Sequence, residues 1–237
     1  MLPKPLRPAA ITLDLDDTLW PIGPTIRAAE AVANAWFAEH APAVLVQWPE
    51  AERMRLRQQL VAAHPAQKHD LAFLRRMMFR AMLDAAGHDP ARADEAFDLF
   101  IAERQRVSLY PGAREALQRL AARYPIAAVS NGNADLQTIG LSAHFRFSLS
   151  ASDYGAAKPD PGIFLAACAR LGHAPDTVLH IGDDPVTDVL GARRAGLLAG
   201  WIQHDVAAWP HAEAHPAHQP DISAKGFVDL VDALLGD

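Results

Sequence analysis

An apolar run, Ile11-Thr12-Leu13, leads straight into Asp14-Leu15-Asp16-Asp17-Thr18. Aspartate is common in turns and at helix N-caps, so such a cluster can be purely structural. A carboxylate fixed at a strand end can also attack phosphorus and form an aspartyl phosphate. A second carboxylate two residues on can protonate the departing alcohol and later activate water. Asp14 and Asp16 have this spacing, with Leu15 turned back towards a core because strand side chains alternate. Crowded carboxylates repel one another and need a cation, and their hard oxygens suit Mg2+.

Three other clusters could complete such a site. Val178–Ile181 closes on Gly182-Asp183-Asp184, and Asp188 follows five residues after Asp183, offering more carboxylates to a metal. Ile126–Val129 closes on Ser130-Asn131-Gly132. This trio offers a hydroxyl, an amide and a small residue whose N–H can approach a phosphate closely. Lys158 adds a mobile ammonium that can offset phosphate charge. Singly, each has a plain structural reading: a turn, or a surface lysine. Together they come in one order, each at or just after a strand end.

The elements that must position these groups read as follows. Strands are expected at Ala9–Leu13, Ile126–Val129, Phe147–Ala151, Val178–Ile181 and Leu198–Ile202. The first, second and fourth are nearly continuous apolar runs, as strands covered on both faces of a parallel sheet require. Helices are expected at Gly112–Tyr124, with Ala113, Leu117, Leu120 and Ala121 inward, at Asp160–Leu171 and at Thr187–Ala195. The alternation predicts an α/β fold with a doubly wound parallel sheet, which binds ligands at the carboxyl ends of its strands. Over a hundred residues between Asp14 and Ile126 carry little strand signal. Thr25–His40 (Ile26, Ala29, Val32, Ala33, Trp36 and Phe37 inward), Asp70–Ala86 (Leu71, Leu74, Met78, Ala81 and Ala85 inward) and Asp94–Arg106 read as helices. They predict an all-helical insertion over about residues 22–108, leaving 1–21 and 109–237 as the core. Met77, Met78 and Met82 read as packing residues.

DLDDT, SNGN, KPDP and GDDPVTD resemble, in that order, the four motifs of the haloacid dehalogenase-like hydrolase superfamily. The resemblance runs from about residue 9 to 235 and implies a Rossmann-like core with a helical cap inserted after the first strand. It implies Asp14 as nucleophile and Asp16 as general acid and base. Mg2+ would be held by Asp14, Asp183 and the Asp16 carbonyl. Ser130 with the Asn131 or Gly132 N–H would grip phosphate, and Lys158 would screen its charge. Thr18 would brace the first motif, and Asp188 would hold a metal-bound water or Lys158. Asp17 and Asp184 are extra acids with no role implied. The stretches SNGNADLQTIGLSAHF and LHIGDDPVTDVLGARRAGLLAGWI further resemble the bacterial flavin mononucleotide phosphatase branch, whose members also dephosphorylate a ribityl-amino-uracil phosphate of riboflavin synthesis. The expected activity is thus hydrolysis of a small phosphate monoester. A phosphomutase of the same fold, or an inactive binding protein, stays open. A dehalogenase proper lacks the second aspartate, so Asp16 argues against it.

For substrate choice, Trp20 could stack on a flat ring or simply pack at a hinge, and Arg75 and Arg76 could meet a polar group or form a solvated helix face. The formal net charge of −6 argues against a nucleic-acid partner. No apolar stretch reaches the roughly 18 residues of a membrane span. Three prolines interrupt the first ten residues, unlike a secretory signal, and the lone Cys168 permits no internal disulfide, so a cytoplasmic protein is expected. Cys168 reads as a core residue. His204, His211, His215 and His218 lie in a proline-rich stretch and read as a surface loop rather than a metal site. Oligomeric state is not legible.

Overall fold

The computed structural model describes residues 6–204, 209–210 and 218–236. Six strands, β1 (Ala10–Leu13), β2 (Ile126–Ser130), β3 (Phe147–Ser150), β4 (Val178–Gly182), β5 (Leu198–Ile202) and β6 (Ile222–Ala224), form one parallel sheet in the order β3-β2-β1-β4-β5-β6. Every residue of β1, β2 and β4 is buried, which is why these segments carry almost no polar side chains. The strand order reverses at β1, and such a switch point opens a crevice at the carboxyl ends of the flanking strands.

The helices, in chain order, are α1 (Ile22–His40), α2 (Pro42–Gln47), α3 (Glu50–Ala63), α4 (Leu71–Ala85), α5 (Ala93–Arg104), α6 (Ala113–Arg123), α7 (Leu136–Ile139), α8 (Ala151–Tyr154), α9 (Pro161–Leu171), α10 (Gly191–Arg194) and α11 (Phe227–Leu235). The chain divides into two compact units, Met1–Pro21 with Ser108–Asp237, and Ile22–Val107. In the first, α9 packs on β1 and β2, and α6 packs against α11. The fold is a Rossmann-like parallel sheet with helices on both faces and an inserted all-helical cap.

The helical unit has its own core, in which Ala29, Ala33, Trp36 and Phe37 of α1 meet Met78, Phe79, Met82 and Leu83 of α4 and Phe97 and Phe100 of α5. Two positions expected inward on α4, Leu71 and Ala85, are exposed; Phe79, Met82 and Leu83 take the core instead. They sit on the α4 stripe that faces α1 and α5, one position round from the expected one. Val32 is only half-buried.

Two boundaries differ for local reasons. Strand β3 stops at Ser150 because that residue caps α8, its Oγ accepting from the Asp153 N–H while Asp153 Oδ2 accepts from the Ser150 N–H. The helix expected over Thr187–Ala195 is instead a wide π-helical turn, Pro185–Leu190, followed by α10. Asp184 Oδ1 accepts from the Val186 and Thr187 N–H groups at 2.8 and 2.7 Å and starts that turn.

Candidate active site

At the switch point, the carboxyl ends of β1, β2 and β4 surround a cavity of about 170 Å3. It is lined by Asp14, Asp16, Asp17, Lys158, Asp183, Asp184, Thr187, Asp188 and the Ser130–Gly132 turn. Residues over a hundred positions apart meet there because β1 lies between β2 and β4, in register Ile11 with Ile126 and Leu13 with Ile181.

Lys158 is the electrostatic centre. Its Nζ donates to Asp14 Oδ1 at 2.5 Å and to Asp188 Oδ1 at 2.6 Å, and it is almost fully buried. Burial opposes its charge, but the two carboxylates outweigh that and hold it firmly protonated. Its backbone is fixed too. The Asn131 Nδ2 group donates to the Lys158 carbonyl at 3.0 Å, and Asn131 Oδ1 accepts from the Lys158 N–H at 2.7 Å. The Asn131 side chain therefore serves to place the lysine. The Gly132 N–H donates to Ser130 Oγ at 3.0 Å, leaving the Ser130 hydroxyl hydrogen free to point elsewhere.

Burial pushes the Asp14 carboxyl up to about 7, with the Asp188 charge adding to the push and Lys158 pulling against it. Burial pushes Asp183 to about 8, helped by the charges of Asp188, Asp14 and Asp17. Asp188 runs the other way. Burial would raise it, but Lys158 and His180 hold it well below the usual carboxylate range. Thr18 Oγ1 lies between Asp183 Oδ1 at 3.2 Å and Asp14 Oδ2 at 3.5 Å, so its one hydrogen serves either carboxylate. Oxygens of Asp14, Asp183 and Asp188 lie within 4.8 Å of one another, a group able to hold a divalent cation. Two carboxylates resisting ionisation beside a third are what a cation would relieve. Asp188 is the most committed, spending Oδ1 on Lys158 and His180 and Oδ2 on the Asp184 N–H at 3.0 Å.

Two supporting groups carry no sequence expectation. His180, inside β4, joins Asp188 at 3.0 Å. The Trp201 Nε1–H donates to the Asp183 carbonyl at 2.9 Å, fixing the residue from below. His204, expected only as part of a surface loop, donates from Nε2 to the Asp17 carbonyl at 2.6 Å, where Asp17 turns through a left-handed φ of 59°. His211 and His215 lie outside the described residues. Asp184 is a cap rather than a free acid.

Of the two readings of Trp20, burial favours packing: the residue is fully buried, so neither ring face is open to a substrate. Its Nε1–H instead donates to Asp16 Oδ1 at 2.8 Å and steadies that carboxylate. In the helical unit, the Arg75 guanidinium lies 4.4 Å from the Phe100 ring centroid and 3.1 Å from Glu30. Arg76 lies 4.0 Å from that of Phe97 and 3.6 Å from Asp94.

A family profile described as haloacid dehalogenase-like hydrolase matches residues 8–196. The chain belongs to the haloacid dehalogenase-like hydrolase family. This hydrolase is 37% identical over 205 residues to the 5-amino-6-(5-phospho-D-ribitylamino)uracil phosphatase YigB of Escherichia coli K12, covering 84% of this chain and 86% of that one. It is 40% identical over 134 residues, 54% of each chain, to a phosphoserine phosphatase of Thermus thermophilus. Among solved structures, a 2-haloacid dehalogenase from Pseudomonas syringae pv. tomato DC3000 superposes with a TM-score of 0.87 at 35% identity, covering 96% of this chain and 98% of that one. With phosphatase relatives and the acidic cluster in place, this member of the haloacid dehalogenase-like hydrolases is a phosphatase. Among the described residues, no helix is long and apolar enough to cross a membrane.

Gly182 explains how Asp188 comes so close. A Cβ built on it would overlap the Asp188 carboxyl group. Gly182→Ala is expected to push Asp188 off Lys158, cost about 1–3 kcal/mol as overpacking does, and lower kcat at least about tenfold. Thermal melts and steady-state kinetics check both effects; unchanged kcat would mean that Asp188 tolerates displacement.

Proposed function

We propose that the protein is a magnesium-dependent phosphomonoesterase that works through an aspartyl phosphate on Asp14, with flavin mononucleotide or a ribityl-amino-uracil phosphate as its substrate. The observation that carries the chemistry is the placement of Asp14 at the switch point, held by Lys158 at 2.5 Å with Asp16 two residues on. Asp14 attacks phosphorus, and the P–O bond to the leaving alcohol breaks. Asp16 gives its proton to that alcohol. Asp16 then takes a proton from water, whose oxygen attacks the phosphoryl group and returns Asp14 to its free carboxylate. Lys158 offsets the charge that builds on the equatorial oxygens, and the Ser130 hydroxyl and Gly132 N–H turn from each other to the phosphate. Asp14, Asp183 and the Asp16 carbonyl would hold Mg2+, with Asp188 behind them; when bound, it supplies positive charge that lets nucleophile and phosphate approach.

The substrate reading rests on the likeness to YigB, whose name states a ribitylaminouracil phosphate, across 84% of this chain. It is tested by phosphate release from flavin mononucleotide, the ribityl-amino-uracil phosphate, sugar phosphates, nucleotides and an aryl phosphate, with magnesium and with chelator. Preference for the first two supports the reading. Broad, weak hydrolysis would remove the substrate and keep the chemistry.

Dehalogenation is a second reading, favoured by the name of the 35%-identical structural neighbour. It predicts chloride release from 2-chloropropionate in the presence of chelator, which a separate chloride assay would show. For the metal assignment, Asp183→Ala is expected to raise the half-saturating magnesium concentration by about tenfold or more, as loss of a group at a metal does. An unchanged half-saturation point would remove Asp183 from the metal site.

A further inference from the structure

We infer that His180 is a positioning residue of this phosphatase: through Asp188 it holds Lys158 against Asp14. The inference rests on the phosphatase reading of the site. His180 lies in the middle of β4, directly opposite Thr12 of β1 in the sheet register. Its side chain is completely buried, with the Phe164 ring edge-on at 4.9 Å between centroids. A polar ring in such a place is costly unless both nitrogens are bonded. Both are: Nδ1 lies 2.9 Å from Thr12 Oγ1, and Nε2 lies 3.0 Å from Asp188 Oδ1.

These contacts set the tautomer. The ionised Asp188 carboxylate only accepts, so Nε2 carries the hydrogen. Burial disfavours a charged imidazole, which leaves Nδ1 bare to accept from the Thr12 hydroxyl. Thr12 thereby fixes the ring, and the ring directs one N–H at Asp188.

Asp188 is then gripped from three directions. His180 Nε2–H and Lys158 Nζ meet at Oδ1, and the Asp184 N–H meets Oδ2. A carboxylate tethered to the sheet in this way gives Lys158 a fixed anchor 2.6 Å away, from which the ammonium reaches Asp14. With His180 removed, Asp188 Oδ1 keeps only the flexible lysine among these two donors, and the pair can swing together away from the nucleophile. His180 lies two links from the reacting atoms, so the loss should fall on kcat and leave KM unchanged.

The test begins with aryl phosphate hydrolysis by the wild-type protein with magnesium; absence of turnover there defeats the phosphatase reading itself, whatever His180 does. His180→Leu fills the space without a donor, and His180→Gln keeps an N–H near the place of Nε2. The expected result is a kcat lowered about 10- to 100-fold in His180→Leu, as for groups that orient a site from outside it, at unchanged KM, with His180→Gln recovering most of the loss. Equal damage in both variants, or a folded His180→Leu with normal kcat, overturns the inference. Nitrogen-15 NMR of the metal-free wild-type imidazole gives a readout independent of turnover. It should show the Nε2–H tautomer; an Nδ1–H tautomer overturns the inference even if the leucine variant does not fold.

Discussion

Asp14→Asn is expected to abolish phosphate release and phosphoenzyme formation while leaving the metal-free protein at least as stable as the wild type. The first half follows from the loss of the attacking oxygen, and a fall in kcat of at least about a thousandfold is the scale for removing a nucleophile. The second half follows from where Asp14 sits. Burial lifts its carboxyl from 3.8 to about 7 in the folded state. A carboxyl raised on folding favours the folded state while it keeps its proton and loses that advantage as pH rises through the folded value. In chelator, the wild type therefore loses Asp14's contribution between about pH 4 and pH 7, and asparagine, which cannot ionise, does not. The melting-temperature difference, Asp14→Asn minus wild type, should grow from about pH 5 to about pH 8. Near-normal turnover in the variant would remove Asp14 as nucleophile. A difference that stayed flat or shrank with pH would mean that Asp14 is ionised at little cost.

Lys158→Met should damage both quantities. The substitution keeps most of the length of the side chain and deletes the one charge that both Asp14 Oδ1 and Asp188 Oδ1 contact. Removing the cation of a buried pair costs about 3–5 kcal/mol, because the carboxylate charge is left uncompensated, whereas in Asp14→Asn Lys158 keeps Asp188 as its partner. In Lys158→Met two carboxylates are left. Loss of a preorganised charge at the transition state lowers kcat by about 10²–10³. The two substitutions thus move stability in opposite directions at one contact. Combining them gives the coupling: the stability cost of Lys158→Met should be smaller when Asp14 is already asparagine. Urea or thermal unfolding in chelator at about pH 8 measures it, and strictly additive costs would show that the 2.5 Å contact carries no net energy.

The parts of the fold that were legible in the sequence are those where burial leaves a mark on composition. Strands β1, β2 and β4 are covered on both faces, so they read as apolar runs. The edge strand β6 has three residues, Ile222, Ser223 and Ala224, too few for any period to show. Helix α3 buries only Leu56, so its charged sequence gave no stripe to read. The same logic divides the site. Asp14, Ser130 and Asp183 were visible because polar groups at strand ends interrupt apolar runs, Lys158 and Asp188 only through their order after those strands and the motif resemblance, and the structure gathers all five round one cavity. Trp20 was ambiguous because a tryptophan beside a reactive loop can face either way; burial decides for packing. His180 went unnoticed although a signal existed. A histidine inside a fully buried strand must find partners, but its Thr12 partner lies 168 residues away and is named only by sheet register.

The placement of β1 also has a consequence for synthesis. Its two neighbours in the sheet begin at Ile126 and Val178, whereas the helical unit between ends at Val107. On a ribosome, that unit is complete before either neighbour of β1 has been made, and it can fold from contacts within Ile22–Val107. The apolar strand that leads into Asp14 must meanwhile wait unpaired, so the helices have a head start and the parallel sheet closes last.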